Sequence, residues 1–143
     1  MRKNDMVEHV VELNIDPQAA FYILVKAREF DEKAGDTGAE LDADDEDAST
    51  ILLDRPGDPT YQELMTALKE LNIDEQMDLT VLMWVGRGDF EIDEWETARR
   101  QALEMSDKHI PQYLSTTPLL SDYLAEGLNR AGYAVDEFEL GRF

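Results

Sequence analysis

Residues 81–85 read VLMWV, and together with residues 21–25, FYILV, they are the longest strongly apolar runs in the chain. Neither run approaches the roughly 20 apolar residues that a membrane-spanning helix needs. Each lies within a helix-forming segment and would be apolar on every side of its helix. We therefore predict two central helices that pack against each other inside a layer of amphipathic helices.

Pairs of a capping residue and a proline predict where several helices begin. These pairs are Asp16-Pro17, Asp58-Pro59 and Thr117-Pro118. The first central helix is expected to end near Phe30 or Glu32. Asn72 and Asp74 both offer a cap for the second central helix, and Gly86 is predicted to end it in a left-handed conformation.

Three further segments carry apolar residues at helical spacing, at residues 61–71, 95–105 and 120–131. The second of them follows an acidic form of the capping box, made by Asp93 and Glu96. The predicted fold is therefore all-α, a compact bundle of about five helices that forms a single domain over residues 1–143. Pro111 predicts a short turn before the last helix, and residues 133–143 are expected to be a loosely held tail.

Residues 1–15 are predicted to form an N-terminal arm. Apolar and polar residues alternate loosely from Val7 to Ile15, which is typical of an extended segment. No second strand of similar quality follows, so a helical turn or an ordered arm laid on the helices fits the sequence equally well.

The acidic residues are concentrated between residues 29 and 58, where 12 acidic and two basic side chains give a net charge of −10 within a total of −20. With few large apolar residues to offset the entropy of ordering, residues 33–57 are predicted to be a mobile acidic insertion. This charge repels nucleic acid and anionic membranes. We expect neither as a partner, and we expect a protein partner to carry a basic surface.

The sequence lacks the residues of common catalytic and metal centres. It has no cysteine and two histidines, His9 and His109, so thiolate zinc sites, cysteine nucleophiles and multi-histidine clusters are excluded. The acidic loops that start at Asp42 and Asp89 lack the glycine and the final glutamate of an EF-hand. We expect no metal, cofactor or catalytic residue. The absence of cysteine and of an apolar leader favours a cytoplasmic location.

Eight residues make up a candidate binding or structural cluster. They are Lys26, Arg28, Trp84, Arg87, Asp89, Trp95, Asp122 and Tyr123. The two glycines of residues 86–90 permit close approach of the backbone. The favoured interpretation of this loop is structural: Arg87 neutralises carbonyls at the end of the preceding helix, and Asp89 accepts amides of the turn. The alternative is a binding site.

Lys26 and Arg28 lie on a helix that is otherwise apolar. We expect them to pair with acids of neighbouring helices, for example Asp122 or Glu126. The alternative is an internal anion-binding patch made by Arg28 and Arg87.

Three segments resemble a family of small bacterial helical domains of unknown function, group three-seven-seven-five. The segments are residues 25–30 (VKAREF), 84–90 (WVGRGDF) followed by Glu94-Trp95, and 117–128 (TPLLSDYLAEGL). The resemblance extends over about residues 15–131. It implies one compact helical domain with a variable acidic insertion, and it implies no activity and no catalytic residues.

Two functions from different classes fit these observations. The first is a non-enzymatic protein-interaction module that uses the loop at residues 87–90, the apolar edge of the last helix or the acidic insertion. The second is a small-molecule-binding or enzymatic domain with a pocket between the central helices near Arg28 and Arg87. A deep cavity would favour the second and a filled interior with an exposed apolar patch the first. Mimicry of nucleic-acid charge is a weaker third hypothesis, because many of the acids lie in the predicted mobile insertion.

Overall fold

The computed structural model describes residues 11–41, 59–105 and 109–141, with the backbone alone for residues 33–41. Within these ranges there are seven α-helices, one short 3-10 helix and no strand. The helices are α1 (Pro17–Leu41), α2 (Pro59–Lys69), α3 (Ile73–Arg87), α4 (Trp95–Glu104), α5 (Ile110–Ser115), α6 (Leu120–Arg130) and α7 (Val135–Glu139), and the 3-10 helix (Ile92–Glu94) precedes α4. The prediction of a compact all-α bundle is confirmed, and the short helices α5 and α7 add to the five that were predicted.

Helix α3 is the centre of the bundle. All ten residues from 76 to 85 are buried, so the run VLMWV lies in the interior as predicted. The side chain of Asn72 accepts a hydrogen bond of 2.8 Å from the Glu75 amide, and the Glu75 side chain accepts one of 2.8 Å from the Asn72 amide. This reciprocal capping box places the start of α3 after Asn72 rather than after Asp74.

The most extensive contact of α3 is with α6. A Cβ atom on Gly86 would lie 1.9 Å from the carbonyl oxygen of Tyr123, and one on Gly127 would lie 2.1 Å from the carbonyl oxygen of Leu82. These distances leave no space for a side chain, so the two glycines allow the backbones of α3 and α6 to touch.

The left-handed cap of α3 is Gly88, with a φ of 97°, and its amide donates to the carbonyls of Trp84 and Val85. The prediction that Gly86 ends this helix is therefore wrong. Gly86 lies within α3, where the approach of α6 requires a glycine, and the helix continues to Arg87.

Helix α1 is amphipathic rather than central. Its residues Ile23 and Leu24 are buried, but Tyr22 is 50% exposed. It packs on α2, α6 and α7, and Phe21 stacks on Phe138 of α7 with ring centroids 4.9 Å apart. Residues 21–25 were predicted to pack against residues 81–85. The described residues show no extensive contact between α1 and α3, because α6 occupies the glycine-lined face of α3.

Helix α1 also continues beyond its predicted end near Phe30 or Glu32, since its backbone is helical to Leu41. Extending a helix that is already anchored costs much less than starting one. The beginning of the acidic insertion, residues 33–41, is therefore helical. Its remainder, residues 42–57, lies outside the described residues, as does the proposed cap Asp58.

The segment after α6 is packed, contrary to the prediction of a loose tail. Tyr133, Val135 and Phe138 are each less than 9% exposed. The amide of Val135 donates to the side-chain oxygen of Asn129 over 2.9 Å. Three apolar side chains thus anchor α7 on α1 and α6.

The described part of the N-terminal arm is ordered on the helices. In residues 11–15 the odd-numbered side chains are buried or half-buried and the even-numbered ones are exposed, which agrees with the period-two alternation. The hydroxyl of Tyr133 donates to the Val11 carbonyl over 2.8 Å. Of the three alternatives, the arm laid on the helices is the one found for residues 11–15.

None of the described helices combines the length and the apolar character that a membrane crossing requires.

Candidate functional site

The predicted polar cluster is divided among three places in the bundle. Trp84, Arg87 and Asp89 meet at the end of α3. Arg28 and Asp122 line a cleft where α1 meets the start of α6. Lys26 faces α2. Trp95 belongs to the core, and Tyr123 packs at the edge of the core. Arg87 is not among the residues that line the cleft of Arg28, so the described residues do not bring the two guanidinium groups into one patch.

The polar groups at the end of α3 are bonded to one another. Arg87 donates to one carboxylate oxygen of Asp89 from Nη2 at 2.6 Å and from Nε at 3.0 Å. This bond raises the pKa of Arg87 above its usual value. The indole nitrogen of Trp84 donates to the hydroxyl of Tyr113 over 2.9 Å, and its ring lies 5.7 Å from that of Phe90. This geometry agrees with the structural interpretation of the loop.

Arg87 lies in the last turn of α3, but the described side-chain hydrogen bond to a carbonyl of that turn comes from Arg130. Its Nη1 donates to the Val85 carbonyl near the end of α3 over 3.2 Å, and its Nε donates to Glu126 over 2.7 Å. Arg87 and Asp89 satisfy each other instead, because they lie two residues apart across the turn at Gly88. Asp89 was predicted to accept amides of the turn, and its described donor is Arg87 instead.

The two tryptophans are parts of the packed core. Trp84 is 8% exposed and Trp95, the first residue of α4, is 6% exposed. Tyr123 is half-buried, and its carbonyl oxygen is the atom that approaches Gly86. These side chains therefore contribute to helix packing.

The second place is an open cleft of about 320 Å³ between α1 and the start of α6. It is lined by Arg28, Asp31, Glu32, Leu119, Ser121 and Asp122. Asp31 accepts hydrogen bonds from the amide of Ser121 at 3.1 Å and from its hydroxyl at 2.8 Å. Burial raises the pKa of Asp31 above its ordinary value, against the opposing effect of the two bonds from Ser121.

Asp31 therefore acts as the cap of α6 from a different helix. Helix α6 begins at Leu120 and follows Leu119, which has a φ of 60°. The predicted start at Thr117-Pro118 is wrong, because the Thr117 hydroxyl donates to the Tyr113 carbonyl over 2.8 Å and so serves the end of α5.

The third place is a groove of about 240 Å³ between α1 and α2, which we call the Tyr22 groove. It is lined by Tyr22, Gln62, Glu63, Thr66, Ala67 and Glu70. The ammonium of Lys26 lies 2.9 Å from Glu63, 3.5 Å from Glu29 and 5.5 Å from the centroid of the Tyr22 ring. The hydrogen bond to Glu63 raises the pKa of Lys26.

Arg28 pairs with Glu139 of α7 over 3.3 Å. Lys26 and Arg28 thus pair with acids of neighbouring helices, as expected, although neither has a described contact with Asp122 or Glu126. Glu126 pairs with Arg130 in its own helix.

Asp78 is the fully buried carboxylate among the described residues, and it was not among the residues predicted from the sequence. It accepts hydrogen bonds from the amides of Asn14 and Ile15, the latter at 3.0 Å, and from Nη1 of Arg99 at 2.5 Å. Burial raises the pKa of Asp78, and these donors oppose the shift. An acid inside an otherwise apolar helical run was the available signal.

Within the ranges that the structure describes, no group of three or more metal-ligating side chains is close enough to hold a metal ion. The two clefts offer carboxylates, a guanidinium, hydroxyls and one exposed aromatic ring, which can form ion pairs, hydrogen bonds and cation–π contacts.

Residues 61–133, just over half of the chain, match the family model described as protein of unknown function (DUF3775). This match runs from α2 to Tyr133 and confirms the resemblance seen in the sequence, although residues 25–30 lie outside it. No curated protein matches the chain, and no solved structure does.

Proposed function

The chain belongs to the DUF3775 family of unknown function, and we propose that this member is a non-enzymatic protein-interaction module. The observation that carries the proposal is the contact between α3 and α6. At Gly86 and Gly127 the two backbones leave room for a hydrogen atom only. An internal pocket on the central helix has no space at this crossing, which favours recognition at the outer surface.

The side chains that the alternative function needs are occupied by other protein groups. Arg87 is bonded to Asp89, and Trp84 is bonded to Tyr113. A pocket that joined them to Arg28 would have to break these contacts. Their loss is a cost that a ligand would have to offset.

Two of the surfaces suggested by the sequence are also occupied. The loop at residues 87–90 bonds to itself and packs on Trp84. The apolar edge of the last long helix is buried, with Leu120, Leu124 and Leu128 at most 1% exposed. The acidic insertion beyond residue 41 lies outside the described residues.

Three of the five exposed large apolar side chains of the described residues lie on α1 or beside a helix that packs on it. Tyr22 on α1 is 50% exposed, Leu119 before α6 is 52% exposed and Leu140 after α7 is 63% exposed. Both α6 and α7 pack on α1. The whole chain has a net charge of −20, so we expect a partner of this surface to be positively charged.

A small-ligand role has one observation in its favour, which is the cleft that holds Arg28, Asp31 and Asp122. Its volume of about 320 Å³ is at the lower end of the range for ligand pockets. The Asp31 carboxylate there is already used by Ser121. We therefore rank this function second.

Site-specific photo-crosslinking in the organism that carries the gene tests the proposed function. A photoreactive phenylalanine derivative replaces Tyr22 in one variant and Leu103 in a control variant. Leu103 is 57% exposed but lies on α4, which packs on α3. We expect a discrete protein adduct at Tyr22 that is absent at Leu103. Equal adducts at both positions, or none at Tyr22, would contradict the proposal.

A further inference from the structure

We infer that the Tyr22 groove receives a lysine- or arginine-bearing segment of the partner protein. This inference rests on the proposed function, because it names the surface and the chemistry of the partner. It is carried by the shape of the groove, by its charge and by a cation of the chain itself that already lies at its edge.

The groove is built on the outward face of α2. Residues 62, 63, 66, 67 and 70 follow helical spacing and lie on one face, while Leu64 and Leu68 of the same helix are fully buried. The small side chains of Thr66 and Ala67 leave a depression beside the half-exposed ring of Tyr22. A partner side chain can therefore reach the ring and the backbone of α2 together.

The charge at the groove remains negative after the internal ion pairs are counted. Lys26 is shared between Glu29 and Glu63. The side chain of Glu70 has no ion pair within the described residues. The groove is lined by two carboxylates, Glu63 and Glu70, and Lys26 pairs with the first of them, so the carboxylate of Glu70 leaves an excess of negative charge.

Lys26 shows how a cation binds at the edge of this groove. Its ammonium contacts the Tyr22 ring at 5.5 Å from the centroid and the Glu63 carboxylate at 2.9 Å. A carboxylate beside an aromatic face binds a cation through an ion pair and a cation–π contact together. The exposed part of Tyr22 and the Glu70 carboxylate, which line the same groove, offer this combination to a second cation.

The occupant is therefore a basic segment rather than a second copy of this chain. Two copies, each with a net charge of −20, repel each other. A segment with lysine or arginine beside small apolar residues matches both the ring and the carboxylates.

The test uses a labelled peptide of alternating lysine and alanine with the full chain, at moderate salt. Amide NMR shifts locate the peptide, and fluorescence anisotropy gives its dissociation constant. We expect the shifts to concentrate in α1 and α2 around Tyr22 and Glu70. Tyr22→Leu keeps apolar bulk but removes the ring face, and it should weaken binding about fivefold, whereas Tyr22→Phe should bind like the parent chain.

A matched pair of charge variants separates the groove from general attraction. Glu70→Gln and Glu96→Gln change the net charge equally, but Glu96 is an exposed residue of α4. We expect about threefold weaker binding for Glu70→Gln and no change for Glu96→Gln. Melting temperatures close to that of the parent chain establish that each variant is folded.

Evenly spread shifts, or the same affinity for Tyr22→Leu and the parent chain, would overturn the inference. If the peptide fails to bind while the Tyr22 crosslink to a cellular protein persists, the proposed function stands and the partner chemistry is wrong. If the peptide occupies the groove but no protein crosslinks at Tyr22 in cells, the proposed function and the inference both fail.

Discussion

Asp78 connects three parts of the chain through one buried carboxylate. It lies on α3, accepts the amides of Asn14 and Ile15 from the arm, and pairs with Arg99 of α4. A buried carboxylate is tolerated when several donors compensate for its lost hydration. These contacts hold the described end of the arm on the bundle.

Replacing Asp78 with alanine should lower the free energy of unfolding by about 3 kcal/mol, because two amides lose their acceptor and Arg99 loses its buried partner. Urea unfolding at neutral pH measures this change. The control is Asp74→Ala. The Asp74 carboxylate also pairs with Arg99, at 3.3 Å, but its side chain is 61% exposed. The control should cost less than about 1 kcal/mol. Equal losses in the two variants would contradict the role of Asp78.

The stability contributed by Asp31 should decrease as pH rises. Burial raises the pKa of Asp31 above its ordinary value of 3.8. The contribution of Asp31 to the free energy of unfolding is therefore complete below pH 3.8, its pKa in the unfolded chain. It is lost as the pH rises through the raised pKa of the folded protein. We expect the stability of the parent chain relative to Asp31→Asn to fall from acidic to neutral pH in urea unfolding experiments.

A second variant checks the cause of this pH dependence. Ser121→Ala removes a hydrogen bond that lowers the pKa of Asp31. The pKa of Asp31 should therefore rise further, and the loss of stability with pH should continue to a higher pH. A relative stability that instead grows with pH would mean that the bonds from Ser121 outweigh burial.

At the level of the helices, the crossing of α3 and α6 sets the architecture. Its contact depends on two glycines that face carbonyl oxygens of the opposite helix. Glycine ordinarily weakens a helix by about 1 kcal/mol relative to alanine. The close approach of the two backbones offsets that cost at these two positions.

Gly127→Ala should therefore destabilise the protein by about 3 kcal/mol, because its Cβ would force α6 away from the Leu82 carbonyl. Helix propensity alone predicts the opposite sign, so the direction of the change in urea unfolding is decisive. Gly88→Ala serves as the comparison. It meets no atom within 4 Å but requires a φ of 97°, and should cost about 1 kcal/mol. A neutral or stabilising Gly127→Ala would refute the close contact.

The helix starts that the sequence predicted correctly depend on neighbouring residues. Asp16 caps α1 through a 2.9 Å bond from the Gln18 amide, and α3 is capped within residues 72–75. The start of α6 was misplaced because its cap, Asp31, is 90 residues away in the sequence. A local sequence pattern shows a cap formed by a near neighbour, but not a cap that comes from a distant part of the chain.

The candidate site was predicted only in part for the same reason. The pairing of Lys26 and Arg28 with acids of other helices followed from their position on an apolar helix. The identity of those acids, Glu63 and Glu139, depends on how the helices pack. The exposure of Tyr22 was not predicted, because an apolar run does not reveal which face α2 and α6 leave uncovered.

At the level of the whole molecule, charge repulsion opposes the compact state. A net charge of −20 on 143 residues places many carboxylates within one Debye length of each other at low salt, and about 0.1 M salt reduces that length to about 10 Å. We expect the melting temperature to rise from low to moderate concentrations of sodium chloride. A flat or falling melting temperature would show that repulsion does not limit stability.

Helices α3 and α6 form the closed centre of the bundle, and the proposed function places recognition on the outer surface. Hydrogen exchange of the full chain, resolved by amide, tests this closed centre most directly, because amides at the most stable centre exchange only through global unfolding. We predict the slowest exchange at residues 79–85 of α3 and 124–128 of α6, with faster exchange along the exposed face of α1. Slowest exchange in α1, or rapid exchange at the crossing of Gly86 and Gly127, would contradict the account.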